Sequence, residues 1–186
     1  MGVENSYLAV DWLYLVSLPK TDDEFAASLF EAIDNEADWI SDVSFGEQID
    51  PYYFESWNGL REFNDWFRER KQSMDQAFVK EFSSLFMDVG LLHKDDTFAP
   101  SPINEEFLSS SDWLLASIPP ARVADLAKRA DAIDLDTVTR EFQQGVDQMP
   151  CDMVPDGATI AQWVASLRDG LRATVNSDRG IIMGAA

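Results

Sequence analysis

The sequence predicts an α+β fold that is mainly helical with a few short strands. Apolar residues at helical spacing are clearest near the C-terminus, at Ile160, Trp163, Val164, Leu167, Leu171 and Val175. Short apolar runs that end at proline, such as DWLLASIPP at 112–120, predict strands. A chain of 186 residues can bury a substantial core, and we expect a single compact domain over residues 1–186.

The N-terminal half opens with the apolar run SYLAVDWLYLVSLP at 6–19. We expect a buried strand there, although so short a run also fits a helix. Thr21 and Glu24 have capping-box spacing and predict a helix whose apolar face is Phe25, Leu29, Ala32 and Ile33. Residues 58–88 predict either one long helix or two with a break near 71–73. Their apolar stripe is Leu60, Phe63, Trp66, Phe67, Met74, Phe78, Phe82, Leu85 and Phe86.

The C-terminal half predicts strand, three helices and strand in that order. A helix should begin at Pro119 or Pro120, since proline suits a first turn, and bury Val123, Leu126, Ala127 and Ala130. A short helix follows around Val138 and Phe142, with Asp134 or Asp136 as its cap. After the loop MPCDMVPDG come the amphipathic helix at 160–175 and a final strand in RGIIMGA at 179–185.

Segments 17–34 and 117–134 match at six positions with a constant offset of 100 residues. This similarity predicts an internal duplication, with repeats at 5–95 and 106–186 packed about a pseudo-twofold axis. Each half would then run strand, helix, helical middle, helix, strand. In that scheme FMDVGLL at 86–92 corresponds to the terminal strand RGIIMGA.

The order of elements in DWLLASIPPARVADLAKRADAIDLDTVTREF, WVASLRDGLRATV and RGIIMGAA resembles a known family. Residues 112–185 are similar in pattern to the YfbM-like bacterial family of unknown function. The resemblance implies an α+β fold and a bacterial source, and it implies no activity.

The formal net charge of −20 limits the classes of partner. Direct nucleic-acid binding needs clustered Lys and Arg, and anionic membranes repel such a protein, so we expect neither. A basic protein is the favoured partner. The single Cys151 excludes an internal disulfide, and the N-terminal residues do not have the pattern of a signal peptide, so we expect a cytoplasmic protein.

The segment DNEADWISDVSFGEQIDPYYFESW, residues 34–57, combines acidic and aromatic side chains. From Thr21 to Leu60 there are eleven carboxylates and no Lys, Arg or His. Such a surface can steer a basic protein and then anchor it through aromatic rings. The predicted contacts are Asp38, Asp42, Glu47, Asp50, Glu55, Tyr52, Tyr53 and Trp57. The alternative is a solvated acidic loop whose aromatic rings turn into the core.

Motifs for catalysis or cofactors are weak. The EF-hand-like start at Asp34 fails, because Trp39 and Phe45 occupy the positions of the required Gly and Glu. A weaker Ca²⁺ or Mg²⁺ site of Asp38, Asp42, Glu47 and Asp50 stays open. His93 is expected at the surface and Cys151 half-buried, each without a catalytic role. No phosphate-binding motif occurs, and we expect no cofactor.

The sequence therefore favours a non-enzymatic binding protein, of the bacterial immunity or antitoxin kind, that inhibits a basic toxin such as a nuclease. The alternatives are a hydrolase that uses carboxylates with a divalent metal, and an adaptor protein. The oligomeric state is left open.

Overall fold

The computed structural model of the chain describes residues 5–18, 27–28, 31–32, 35, 37–42, 57–89, 91–92, 114–152 and 154–185. The strands are β1 (Asn5–Val10), β2 (Ile40–Asp42), β3 (Leu114–Ile118) and β4 (Gly180–Ala185). The helices are α1 (Trp12–Ser17), α2 (Trp57–Arg70), α3 (Gln76–Asp88), α4 (Pro120–Ala132), α5 (Leu135–Gln148) and α6 (Gly157–Asn176), with a 3₁₀ turn at Lys71–Ser73. These elements confirm the α+β class.

The strands form an antiparallel sheet in the order β2-β1-β4-β3. β4 lies between the first strand of each half, with Ile181 opposite both Ala9 and Ile118. On the other side of β1, Val10 pairs with Ile40 of the short strand β2. The sheet therefore joins the two ends of the chain and places residues 40–42 at its edge.

Apolar side chains of the sheet lie on both of its faces, because successive residues of a strand point to opposite sides. Ala9, Ile118 and Ile181 pack into the main core with α2–α6. Leu8 and Ile182 point to the opposite face, where a smaller cluster also holds Val10, Leu15, Ala32 and Ile40. The sheet is therefore covered by α2–α6 on one side, and by α1 with Ala32, Ala37 and Trp39 on the other.

The helical side is rich in buried aromatic rings. Phe142 on α5 lies within 5.1 Å of Phe82 on α3 and 5.9 Å of Phe67 on α2, measured between ring centroids. Phe63 contacts Trp163 on α6 at 6.3 Å. The apolar stripes predicted for the helices meet in this cluster, which holds α2, α3, α5 and α6 together.

Asp134 and Asp156 begin α5 and α6 as N-caps, confirming the cap expected at Asp134. A hydrogen bond from the Thr137 hydroxyl, helped by the Thr137 backbone N–H, lowers the pKa of Asp134. The pKa of Asp156 is lowered chiefly because its carboxylate accepts the backbone N–H of Thr159 at 2.8 Å. Each carboxylate satisfies an N–H that has no partner within its helix.

Tyr7 connects β1 to the end of α3. Its hydroxyl donates to the Val89 carbonyl at 2.8 Å, although the two residues are 82 positions apart. Burial raises the pKa of Tyr7 above its ordinary value, because the charged phenolate loses hydration there. The phenol is thus a neutral hydrogen-bond donor packed against the main core.

The first apolar run holds a strand and then a helix, so it is neither the single buried strand that was expected nor the single helix that such a run also fits. The strand ends at Val10, and the Asp11 carboxylate accepts the Tyr14 backbone N–H at 3.1 Å to start α1. Asp11 also donates its own N–H to the Trp39 carbonyl at 2.8 Å. Asp11 therefore stands at the point where the chain changes from strand to helix.

Three further expectations are decided by these elements. The break at 71–73 exists as a 3₁₀ turn, so α2 and α3 are separate helices. Val175 is 36% exposed and does not belong to the buried face of α6.

Phe86 to Asp88 are helical, so this part of FMDVGLL does not form the expected strand. Phe86 continues the buried stripe of Phe78 and Phe82, which favours helix. The duplication itself stays a prediction.

Candidate binding surface

The structure gives the backbone position of three of the predicted contact residues, and two of them lie at β2. Asp38 is exposed in the turn before β2, Asp42 ends β2, and Trp57 begins α2. For Asp42 and Trp57 the structure gives the backbone position only. The other predicted contacts lie outside the described residues: Glu47, Asp50, Tyr52, Tyr53 and Glu55.

Arg179 fixes the turn that carries Asp38. Its guanidinium donates to the Asp38 carbonyl at 2.7 Å and to the Ser41 hydroxyl at 2.8 Å. Arg179 directly precedes β4, so the C-terminal strand positions the start of the acidic segment. A guanidinium therefore borders a stretch whose own sequence contains no basic residue.

Helix α1 lies beside this turn and has apolar side chains on its inner and outer sides. Leu15 is 1% exposed and packs into the smaller cluster. Leu13, Tyr14 and Val16 face outward and are 80%, 47% and 38% exposed. These three side chains are called the α1 patch below.

The α1 patch is joined to the predicted acidic segment through an aromatic contact. The rings of Tyr14 and Trp39 lie 4.7 Å apart between centroids and are inclined by 34°. Trp39 is half-buried and directly follows the exposed Asp38. Exposed apolar, aromatic and acidic groups thus meet at one place. The run of carboxylates predicted Asp38 as a contact, whereas the apolar run at 6–19 predicted a buried strand and gave no sign of the α1 patch.

A cavity of about 430 Å³ lies elsewhere, between α2 and the loop at 149–151. Its lining includes Glu62, Asp65 and Glu69 with Arg61. Half-buried Cys151 faces this groove with its thiol 4.0 Å from Glu62 Oε2. Three carboxylates beside a thiol are the reverse of the electropositive setting typical of reactive cysteines. The half-buried position expected for Cys151 is confirmed.

Several basic residues on the helical side face carboxylates of the same chain. Arg122 and Arg129 both donate to Asp88 Oδ2, with Arg122 at 2.6 Å. Arg129 also donates to the Ser84 hydroxyl at 2.8 Å, beside a cavity of about 270 Å³ that Lys80 lines. Arg172 pairs with Asp131 at 2.8 Å. These cations offset part of the acidic charge on the helical side, which is distant from the α1 patch.

Within the ranges that the structure describes, no three His, Cys, Asp or Glu side chains are grouped so that they could hold a metal ion. Two residues of the weak site suggested for Asp38, Asp42, Glu47 and Asp50 lie outside those ranges, namely Glu47 and Asp50, as does His93. Among the described helices, none is long and apolar enough to cross a membrane.

Comparison with known proteins gives little further identification. No protein-family model matches the chain, and no curated protein matches it. Among solved structures, the chain is similar to the crystal structure of a protein of unknown function, YfbM, from Escherichia coli. The match covers 100% of both chains at 13% identity with a TM-score of 0.38. This resemblance is weak. It does not show that the chain belongs to the YfbM-like family, to which the pattern of residues 112–185 was compared above.

Proposed function

We propose that this protein is a non-enzymatic binding protein that recognises a basic protein through the surface around Asp38 and Trp39. The observation that supports the proposal is the exposed residue Asp38 directly followed by Trp39, whose ring packs against Tyr14. Carboxylates attract a cationic partner from a distance, and aromatic side chains supply most of the contact energy after collision. The net charge of −20 strengthens the attraction.

The distribution of charge favours the same surface. The first hundred residues hold 21 acidic and 7 basic side chains, whereas the rest hold 13 and 7. Arg179 adds one positive charge at the border, and its guanidinium is engaged by the Asp38 carbonyl and Ser41. A partner that presents several Lys or Arg side chains therefore still meets a net acidic surface.

Within this class we propose a bacterial cytoplasmic inhibitor of the immunity or antitoxin kind. Its target would be a basic toxin, for example a nuclease whose cationic groove normally binds phosphates. An acidic surface can occupy such a groove by imitating the charge of the nucleic acid. A carboxylate- and metal-dependent hydrolase stays the alternative, and a rise in Tm with Ca²⁺ or Mg²⁺ would favour it.

The test compares two charge variants of equal net charge. The first neutralises four predicted contacts: Asp38→Asn, Asp42→Asn, Glu47→Gln and Asp50→Asn. The second neutralises four exposed acids on the helical side: Glu81→Gln, Asp136→Asn, Asp147→Asn and Asp152→Asn. Because both lose the same charge, they differ only in where the charge is lost.

The partner is captured from the native host with the wild type, purified, and titrated against each variant by stopped-flow fluorescence. We expect the association rate to fall at least about tenfold for the first variant and much less for the second. The wild-type rate should also fall as salt rises from about 0.1 M to about 1 M. Equal rates for the two variants, or no basic partner at all, would contradict the proposal.

A further inference from the structure

Helix α1 has a composition that normally belongs to a buried helix. Its sequence WLYLVS contains no charged residue, and a helix that is apolar on all sides is expected inside a protein. Yet Leu13 is 80% exposed, and Tyr14 and Val16 are 47% and 38% exposed. Isolated exposed apolar residues are common, but an adjacent group on one short helix marks an interaction surface.

The α1 patch is held in place before any partner arrives. The Asp11 carboxylate caps the helix, and Leu15 anchors it in the smaller cluster at 1% exposure. Trp12 lies against Gly180 so closely that a Cβ at that glycine would overlap the indole ring. Leu13, Tyr14 and Val16 are therefore presented by a positioned helix, which lowers the entropic cost of binding.

Three exposed acidic residues are close in the chain to residues that cap or contact α1. Asp11 precedes the helix, Asp38 precedes the ring that contacts Tyr14, and Asp178 lies two residues before Gly180; all three are exposed. These acidic residues complement a positively charged occupant. They disfavour an anionic membrane and a second copy of the chain, since two such copies would each carry a net charge of −20.

We infer that the α1 patch is the apolar contact of the binding surface, and that its occupant is a basic amphipathic segment. Such a segment would place one or two apolar side chains on Leu13 and Tyr14, with flanking Lys or Arg opposite Asp11, Asp38 and Asp178. The inference rests on the proposed function, and it adds which residues anchor the partner and what the partner must present. Charge alone is then insufficient for tight binding.

The test uses the full chain with two peptides that contain the same number of Lys residues and therefore carry the same charge. One is a Lys and Leu peptide that forms an amphipathic helix, and the other is oligolysine. The matched variants are Leu13→Gln and Leu13→Met, which have similar helix propensity and side-chain length but differ in polarity. Val16→Thr is a second, nearly isosteric variant. Circular dichroism and thermal unfolding show that each variant is folded.

Fluorescence anisotropy of labelled peptides gives Kd for each pair. We expect the amphipathic peptide to bind wild type at least about tenfold more tightly than oligolysine does. Leu13→Gln should remove most of that difference and Val16→Thr part of it, whereas Leu13→Met should retain it. Binding of oligolysine should be the same for all four proteins.

The two proposals fail in different ways. If both peptides bind equally and Leu13→Gln changes neither Kd, the α1 patch is not a contact, whereas the proposed acidic surface survives. If neither peptide binds wild type at about 0.1 M salt, the proposed basic partner and the inference both fail. Two other results would overturn the inference. If wild type dimerises and Leu13→Gln does not, the patch binds a second copy of the chain. If wild type binds neutral phosphatidylcholine vesicles and Leu13→Gln does not, the patch binds lipid.

Discussion

Tyr14 and Trp39 are 25 positions apart in the chain, and their rings meet with centroids 4.7 Å apart. The contact joins α1 to the turn that carries Asp38. A second contact joins the same two segments, because the Asp11 backbone N–H donates to the Trp39 carbonyl at 2.8 Å. The candidate binding surface therefore consists of two segments that the fold holds side by side, and its shape depends on this pair of rings.

A double-mutant cycle measures the energy of the ring pair. The cycle uses Tyr14→Leu, Trp39→Leu and the double variant. We expect a coupling free energy of about 0.5–1 kcal/mol. This is the lower part of the range for aromatic pairs, because Tyr14 is half exposed. Urea unfolding with a common m-value provides the four free energies. A coupling indistinguishable from zero would mean that the rings do not stabilise each other in solution.

Arg179 should contribute more to stability than an ordinary surface arginine does. Arg179→Met removes two hydrogen bonds, to the Asp38 carbonyl and to Ser41, and we expect the free energy of unfolding to fall by about 1–2 kcal/mol. The matched control is Arg172→Met, which removes exposed ion pairs with Asp131 and Asp169 and should cost less than about 1 kcal/mol. Equal losses in urea unfolding would contradict the role assigned to Arg179.

The helices could be predicted from the sequence because their apolar spacing is regular. Phe63, Phe67, Phe82 and Phe142 each belong to a predicted stripe, and all four are at most 3% exposed. Regular spacing decides which side of a helix is buried, whatever that side packs against. α1 has no such spacing, and apolar residues on every side match a strand and a helix equally well. Only the cap formed by Asp11 decides between them.

The candidate surface could be predicted in part. Asp38 was identified from the run of carboxylates, and it is exposed as expected. Neither the approach of Arg179, which lies 141 residues further along the chain, nor the exposure of Leu13 could be inferred. Both depend on the pairing of β1 with β4, and no local pattern specifies which strands become neighbours. Charge counted along a segment therefore misses cations that the fold brings to it.

Gly180 should be required for α1 to keep its position. A Cβ there would overlap the Trp12 ring and lie 2.9 Å from the Ile118 carbonyl oxygen, so Gly180→Ala should destabilise the protein by about 1–3 kcal/mol. Trp12→Leu leaves more room beside that Cβ. If the ring causes the clash, Gly180→Ala should cost less in a Trp12→Leu background than in wild type. An undiminished cost in thermal unfolding would assign the strain to the Ile118 backbone.

Asp156 should make part of the stability depend on acidic pH. Hydrogen bonds from Thr159 lower the pKa of Asp156 in the folded state. The contribution of Asp156 to the free energy of unfolding is therefore complete above the ordinary aspartate pKa of about 3.9. It is lost as the pH falls through the lower pKa of the folded state. Asp156→Ala should reduce the free energy of unfolding by about 1 kcal/mol at neutral pH, and by less below about pH 3. Asp156→Asn keeps the cap without a titratable group, so its difference from Asp156→Ala should be constant with pH. Urea unfolding over this pH range gives the free energy of unfolding of all three proteins. If the difference between wild type and Asp156→Ala stayed the same at acidic pH, the charged carboxylate would not be what caps α6.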